Sequence, residues 1–476
     1  MAQLILLVIY ISCIWLANAR SVSRVLLFSP LSIVLFVAYF KGGLGTLLVR
    51  LFGKLGLPDI DQNQYIITFN QVANLEFLWA LFGLGAVTWC ALSMTKRKII
   101  IAKGSVAGWV SERRLTQTGE KHSPEVKGIY VALGLFTLSY AIIGLTSGVI
   151  DRGAEYATYA TSEKGVTWDI IIAFLRLRDI FFVMTPLVVS RYRSWTLPFC
   201  SFIIAITIVV GVLSGGRGDI LYPIAMLLVG FYIATGDLKK IAIGVTSSVI
   251  IFMVLTPVLQ SLREDPAFLE SSLTDPVNRV TAIIDATEGI QGKFIERAPL
   301  IGRQVYACSD PFLFETSNRG FLDYGFNDIG KILRSVLPAG IAGADVQTFD
   351  GAALGQRIIG VNIKGWFPCI SLPADLYRRG GWSVVLFGGL VFWFLIKTLD
   401  MLWGKVITKS DFSIYGLLLF FLPVTYLRSS PLSTVREVAW TLGWDLVKYI
   451  GLFAVLSALV RACFKRNGEI DEIRKD

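Results

Sequence analysis

Residues 170–235 read, in succession, IIIAFLRLRDIFFVMTPLVVS, RYRSW, TLPFCSFIIAITIVVGVL, SGGRG and DILYPIAMLLVGFYIAT: three apolar runs separated by two short polar breaks. A helix that crosses a bilayer needs about 20 mostly apolar residues, and each run is close to that length. Working outward, the same pattern recurs at 2–19, 25–40, 73–94, 128–149, 241–258, 381–396, 412–427 and 446–462, which makes eleven spans. The fold class that follows is an all-α, polytopic integral membrane protein.

Composition agrees. Hydrophobic residues make up 54% of the 476, charged residues only 17%, and the mean hydropathy is +0.62. A soluble domain carries about 25% charge, so this chain could not cover a water-facing surface of its size. The net charge of +10 is therefore read against a membrane, and no nucleic acid is expected among its partners. Six cysteines without a C-x-x-C pair give neither a zinc site nor a disulfide scaffold. His122 is the single histidine, which rules out a multi-histidine metal site. Neither a metal nor a cofactor is expected.

The distribution of Lys and Arg orients the spans. Met1 precedes no basic stretch, whereas Arg20 and Arg24 follow the first run. That order favours a retained helix with an outside N-terminus over a signal peptide. Counted from there, the inner loops and tail hold 22 basic residues and the short outer loops 8. The chain then divides into helices one to eight (1–258), a long outer loop (259–380), helices nine to eleven (381–462) and an inner tail (463–476). His122 falls on the inner side, and the basic stretch 95–127 reads as an anchor for acidic lipid headgroups.

Loops as long as 259–380 are usually functional or folded. Val277, Val280, Ile283, Ile284 and Ile290 recur at helical spacing, as do Ile329, Ile332, Leu333, Val336 and Leu337 before Pro338. Two amphipathic helices on the membrane surface are the expectation. Cys308 and Cys369, the cysteines of the long outer loop, would face an oxidising compartment in which a disulfide can form.

Four charged constellations stand out. Arg176-Leu177-Arg178-Asp179 lies within a span, where charges are costly and mark working sites. Its simplest reading is an Arg176–Asp179 ion pair three residues apart; the other is an arginine facing a bound anion. Ser214-Gly215-Gly216-Arg217-Gly218-Asp219 sits between two spans, where glycines permit close backbone approach and a helix N-terminus favours an anion. Its alternative is a tight turn with a snorkelling arginine. Asp375-Leu376-Tyr377-Arg378-Arg379 precedes the ninth span, with arginines doubled on the side where they are disfavoured. Arg428, Arg436 and Glu437 occupy the last outer loop. Together these could form one cationic ring with carboxylates among the arginines. Asp59-x-Asp61 has a spacing that can hold a divalent ion on a phosphate, but D-x-D occurs often by chance, and Gly42-Gly43-x-Gly45 lacks the flanking strand of a nucleotide loop.

Over residues 165–465 this arrangement resembles the Wzy-type polymerases of bacterial O-antigen, common-antigen and exopolysaccharide repeat units. The resemblance rests on Ser214-Gly215-Gly216-Arg217-Gly218 between spans. It also rests on the long loop ending in Ser371-Leu372-Pro373-Ala374-Asp375-Leu376-Tyr377 and Gly380-Gly381, and on a last outer loop with Arg428 and Arg436-Glu437. It implies a GT-C-like arrangement in the bacterial inner membrane and a glycosyltransferase working at the outer leaflet. The substrate would be an oligosaccharide on undecaprenyl diphosphate, and membrane lipids and a chain-length-regulating membrane protein would be further partners. Cations must stabilise the departing diphosphate: Arg217 first, with Arg176 or Arg178, then Arg378, Arg379, Arg428 and Arg436. With His122 on the inner side, the acceptor hydroxyl proton is left to a carboxylate, Asp375 and then Glu437, or to charge-assisted positioning of the substrate. A lipid-linked oligosaccharide flippase and a ligase-like transferase are the rival readings.

Overall fold

The computed structural model describes residues 28–47, 69–92, 104–111, 123–147, 166–214, 217–237, 275–288, 325–337, 370–409, 411–427 and 432–473, together with shorter pieces between them. In chain order the helices are α1 (Pro30–Ala38), α2 (Phe69–Leu92), α3 (Val106–Ser111), α4 (Ser123–Ser147), α5 (Val166–Arg191), α6 (Arg193–Leu213) and α7 (Arg217–Thr235). They continue with α8 (Pro276–Glu288), α9 (Ile329–Arg334), α10 (Leu372–Lys409), α11 (Ile414–Phe421), α12 (Val435–Trp440) and α13 (Leu446–Ile473). β pairing among the described residues is limited to a two-residue ladder, Lys54–Leu55 against Tyr65–Ile66, and an isolated antiparallel bridge between Ser105 and Asp411.

The chain is an all-α, multi-pass membrane protein by the length and apolarity of its helices. Among the described residues, five stretches are long and apolar enough to cross a bilayer: Asn70–Leu92, Pro124–Thr146, Arg193–Leu213, Leu372–Lys409 and Val435–Cys463. Pro30–Gly45, Asp219–Thr235 and Ile414–Leu427 are apolar but shorter. α5 has the length, and Arg176, Arg178 and Asp179 in its middle set it apart. The expected spans 2–19 and 241–258 lie largely outside the described residues, as do Cys308, Cys369, Asp59 and Asp61.

Local chemistry sets the helix ends. Ser29, Ser413 and Thr434 each cap a helix by accepting from the backbone N–H three residues on, which satisfies a donor the helix leaves open. Pro30 follows in the first helical position, where its missing N–H is not needed.

Close approach holds the bundle together. α2 and α10 run side by side, and a Cβ on Gly85 would sit 2.9 Å from the Gly389 backbone. Small residues permit such contact where lipid supplies no hydrophobic drive. Across this seam the indole N–H of Trp89 donates to Leu390 O at 2.8 Å and that of Trp393 to Phe82 O at 3.1 Å.

The two ends of the bundle differ. At one end α3 is buried and tied down by Phe412 N donating to Gly104 O at 2.7 Å. There Arg191 lies 3.8 Å over the Trp109 ring and donates to its carbonyl. The middle of the basic stretch 95–127 thus packs into the protein rather than lying wholly on lipid. The opposite end gathers the α6–α7 turn, α8, α9 and the starts of α10 and α12.

Candidate functional site

All ten residues from 176 to 185 are buried, so α5 is enclosed around its full circumference there. That enclosure explains how an apolar helix carries Arg176, Arg178 and Asp179, since these three face protein. Arg178, 1% exposed, donates from Nη1 to Asp219 Oδ1 at 3.2 Å, and Tyr140 OH donates to the same oxygen at 3.0 Å. The guanidinium rests 4.7 Å over the Tyr140 ring, and its Nε is 3.9 Å from Asp179 Oδ1. Nε and Nη2 of Arg178 have no hydrogen-bond partner among the described residues. Buried donors left in that state cost about 1–3 kcal/mol each and call for an explanation.

Asp219 belongs to the first turn of α7, where a negative charge meets the positive end of the helix dipole. The preceding turn is anchored from the long loop. Arg279 of α8, fully buried, donates from Nε to the carbonyl of Leu213, the last residue of α6, at 3.0 Å. Arg217 opens α7, and its side chain lies outside the described residues; Arg428 lies outside them altogether.

Arg176 points away from Arg178, as two residues on a helix must. It crosses to the short helical turn Leu422–Leu427, donating to Thr425 O at 2.8 Å. The simple i,i+3 pairing with Asp179 therefore does not describe it. Asp445 and Lys448, 2.9 Å apart, stand beside this group at the end of a π-helical turn, Thr441–Asp445. Such turns recur at functional sites.

A second cluster surrounds Asp375, which is completely buried. Its carboxylate accepts four hydrogen bonds: from Arg378 Nη2 at 2.6 Å and Nε at 3.2 Å, from Arg379 Nε at 3.1 Å, and from Val435 N at 2.9 Å. Arg379 then forms a two-pronged pair with Asp328, at 2.6 and 2.9 Å, and donates to Gly325 O. Burial opposes the charge on Asp328, but the hydrogen bonds and charge of Arg379 outweigh it and hold the carboxyl below its ordinary value. The anions that hold the doubled arginines are thus the chain's own. Arg436 is buried in the first turn of α12, and Glu437 accompanies it, half-buried, with its N–H on the Thr434 cap.

The break at Gly380-Gly381 creates this second cluster. Gly381 has φ +70° and ψ −159°, a conformation open essentially to glycine alone. It turns the short segment 372–379 away from the axis of the long helix, onto α12, where Leu372 N donates to Leu432 O at 2.8 Å. Phe77, Phe314, Tyr377 and Trp382 pack around the bend.

The described arginines therefore fall into two tiers, with the side chain of Arg217 and the whole of Arg428 outside the described residues. Val435, at the Asp375 cluster, and Asp445, at the Arg176 group, are ten residues apart in one helical run, about 15 Å at 1.5 Å per residue. Sequence reasoning did not single out Tyr140, Asp328, Arg279, Asp445 and Lys448. The signal present was weak: a charge at the edge of an apolar run, or on the polar face of a loop helix. No family model matches the chain, and no curated protein or solved structure does either.

Proposed function

We propose that this protein is an outer-leaflet glycosyltransferase that joins oligosaccharide repeat units carried on undecaprenyl diphosphate. One observation carries the reading: Arg178 holds two buried nitrogens, Nε and Nη2, without a hydrogen-bond partner among the described residues, and is paired through Asp219 with the helix start that Arg217 opens. Guanidinium donors beside a helix N-terminus suit a diphosphate leaving group. The unoccupied donors are preorganised for charge that develops as the sugar–phosphate bond breaks.

The roles follow from how each group is held. Arg178 and Arg217 take the diphosphate, with Arg176 supporting the depth of the site through Thr425. Asp375 has both oxygens occupied, so it organises Arg378, Arg379 and α12 rather than accepting a proton. Glu437 is then the carboxylate left to draw the acceptor hydroxyl proton. As that hydroxyl attacks the anomeric carbon of the donor glycan, the lipid diphosphate leaves with the bonding pair.

A flippase is the second reading, favoured by the Gly380-Gly381 break and the π-helical turn, since transporters also use interrupted helices. The glycan ladder of a strain lacking this chain separates the two. A polymerase predicts single lipid-linked or singly capped repeats at the outer leaflet. Full-length polymer in that strain, or repeats confined to the inner leaflet, would remove the polymerase reading.

A further inference from the structure

The two described helices of the 259–380 segment are turned inside out. On α8, Val277 is 74% exposed, and Val280 and Ile284 share its stripe, while Arg279 and Ala282 face the bundle. On α9 and its flanking turns, Phe326, Ile329, Leu333 (66% exposed) and Leu337 form the outward stripe, while Asp328 and Ser335 are buried. Both stripes follow helical spacing. A helix surrounded by water does the reverse, and exposed apolar stripes mark an interaction surface.

We infer that α8 and the 325–337 segment lie in the headgroup–acyl boundary of the bilayer that the bundle crosses, with these stripes against lipid. The placement of each element supports lipid as the occupant. Val336 wedges onto Gly443, where a Cβ would come within 2.7 Å of its Cγ1. Gly443 lies within Val435–Cys463, a helix long and apolar enough to cross a membrane, so α9 is seated on the flank of that helix. Arg279 ties α8 to the last residue of α6, another such helix, whose Leu197, Phe202, Ile208 and Val209 are exposed in the same way. The apolar stripes therefore continue a surface that already faces acyl chains. Lys331 and Arg334 at the end of α9 supply the cations that such interfacial helices offer to phosphate headgroups.

Nitroxide accessibility tests this. The six native cysteines are replaced, and single labels are introduced by Val277→Cys, Ile284→Cys, Ile329→Cys or Leu333→Cys. Asn278→Cys and Asn327→Cys, both exposed polar positions, serve as controls. In the full chain reconstituted into phosphatidylethanolamine–phosphatidylglycerol vesicles, collision with oxygen relative to a water-soluble nickel chelate should be several-fold higher at the stripe sites. Nickel access equal to that of the asparagine controls would place the stripes in water and overturn the inference. Exclusion of both reagents would overturn it too, in favour of coverage by the rest of the chain. If dipolar broadening accompanied that exclusion, the cover would be a second copy.

Discussion

At the scale of single residues, Arg178 separates a binding role from a structural one. Arg178→Lys keeps a charge opposite Asp219 but removes the unpartnered donors; it should fold normally and lose turnover on the order of 100-fold, as for a lost charge-stabilising donor. Arg178→Ala leaves Asp179 and Asp219 without their buried partner, and breaking such a pair costs about 3–5 kcal/mol, so folded yield should drop. Arg217→Ala should abolish polymer at normal expression, with Arg217→Lys restoring part of it because an ammonium lacks the bidentate grip. Near-normal polymer from Arg217→Ala would leave that residue as a snorkelling turn. Asp375→Asn removes the charge shared by two buried guanidiniums. The expected result is a lowered melting temperature, in keeping with a loss of about 3–5 kcal/mol. A variant that melts like the parent and binds substrate but does not turn over would make Asp375 the base after all. Asp328 adds a pH dependence of known sign. Its carboxyl is held below the ordinary value, so its contribution is complete above about pH 4 and is lost as pH falls through the depressed value. Proteolysis of the 325–337 segment, followed in a stepwise acid titration, should rise only below that window, and Asp328→Asn should abolish the step.

At the scale of elements, the α10 break is the hinge on which the Asp375 cluster depends. Gly381→Ala forces a side chain into a conformation that costs about 1–3 kcal/mol. The least strained escape is to straighten 372–382 into one helix, which would lift Asp375 from Val435 N. Activity should fall more than stability, because the long apolar helix still inserts. Equal activity in membranes from Gly381→Ala and wild-type cells would show that the bend is dispensable. The pairing of α2 with α10, by contrast, rests on glycines and indole hydrogen bonds far from either tier, and is scaffold.

At the scale of the whole molecule, the charges that could meet a diphosphate come from arginines and a helix start. Among the described residues no group of three or more His, Cys, Asp or Glu is placed to hold a metal ion. The single histidine, His122, falls on the inner side in the sequence reading and the chain has one D-x-D, Asp59-x-Asp61, so turnover of purified protein on lipid-linked repeats should survive excess EDTA. Activity lost to the chelator, restored by a divalent ion and abolished by Asp61→Ala would replace arginine stabilisation with a metal.

The sequence by itself determined the solvent, since runs of apolar residues near 20 long report the bilayer without reference to anything distant. It also exposed the anomalies: Arg176, Arg178 and Asp179 are visible as charges in an apolar run, and the period at 277–284 and 329–337 is visible as helix. Hydropathy and period are local, summed over neighbours in the chain. What only the tertiary structure decided is non-local. Arg178 meets Asp219 across 41 positions, Arg379 meets Asp328 across 51, Asp375 meets Val435 across 60, and Arg176 meets Thr425 across 249. No periodicity records which carboxylate a guanidinium will face. That choice is made by helix packing, which encloses α5 and bends α10 at Gly381. For the same reason the apolar stripes of α8 and α9 could be counted in the sequence, but which face turned outward was settled by Arg279 and Asp328 binding inward.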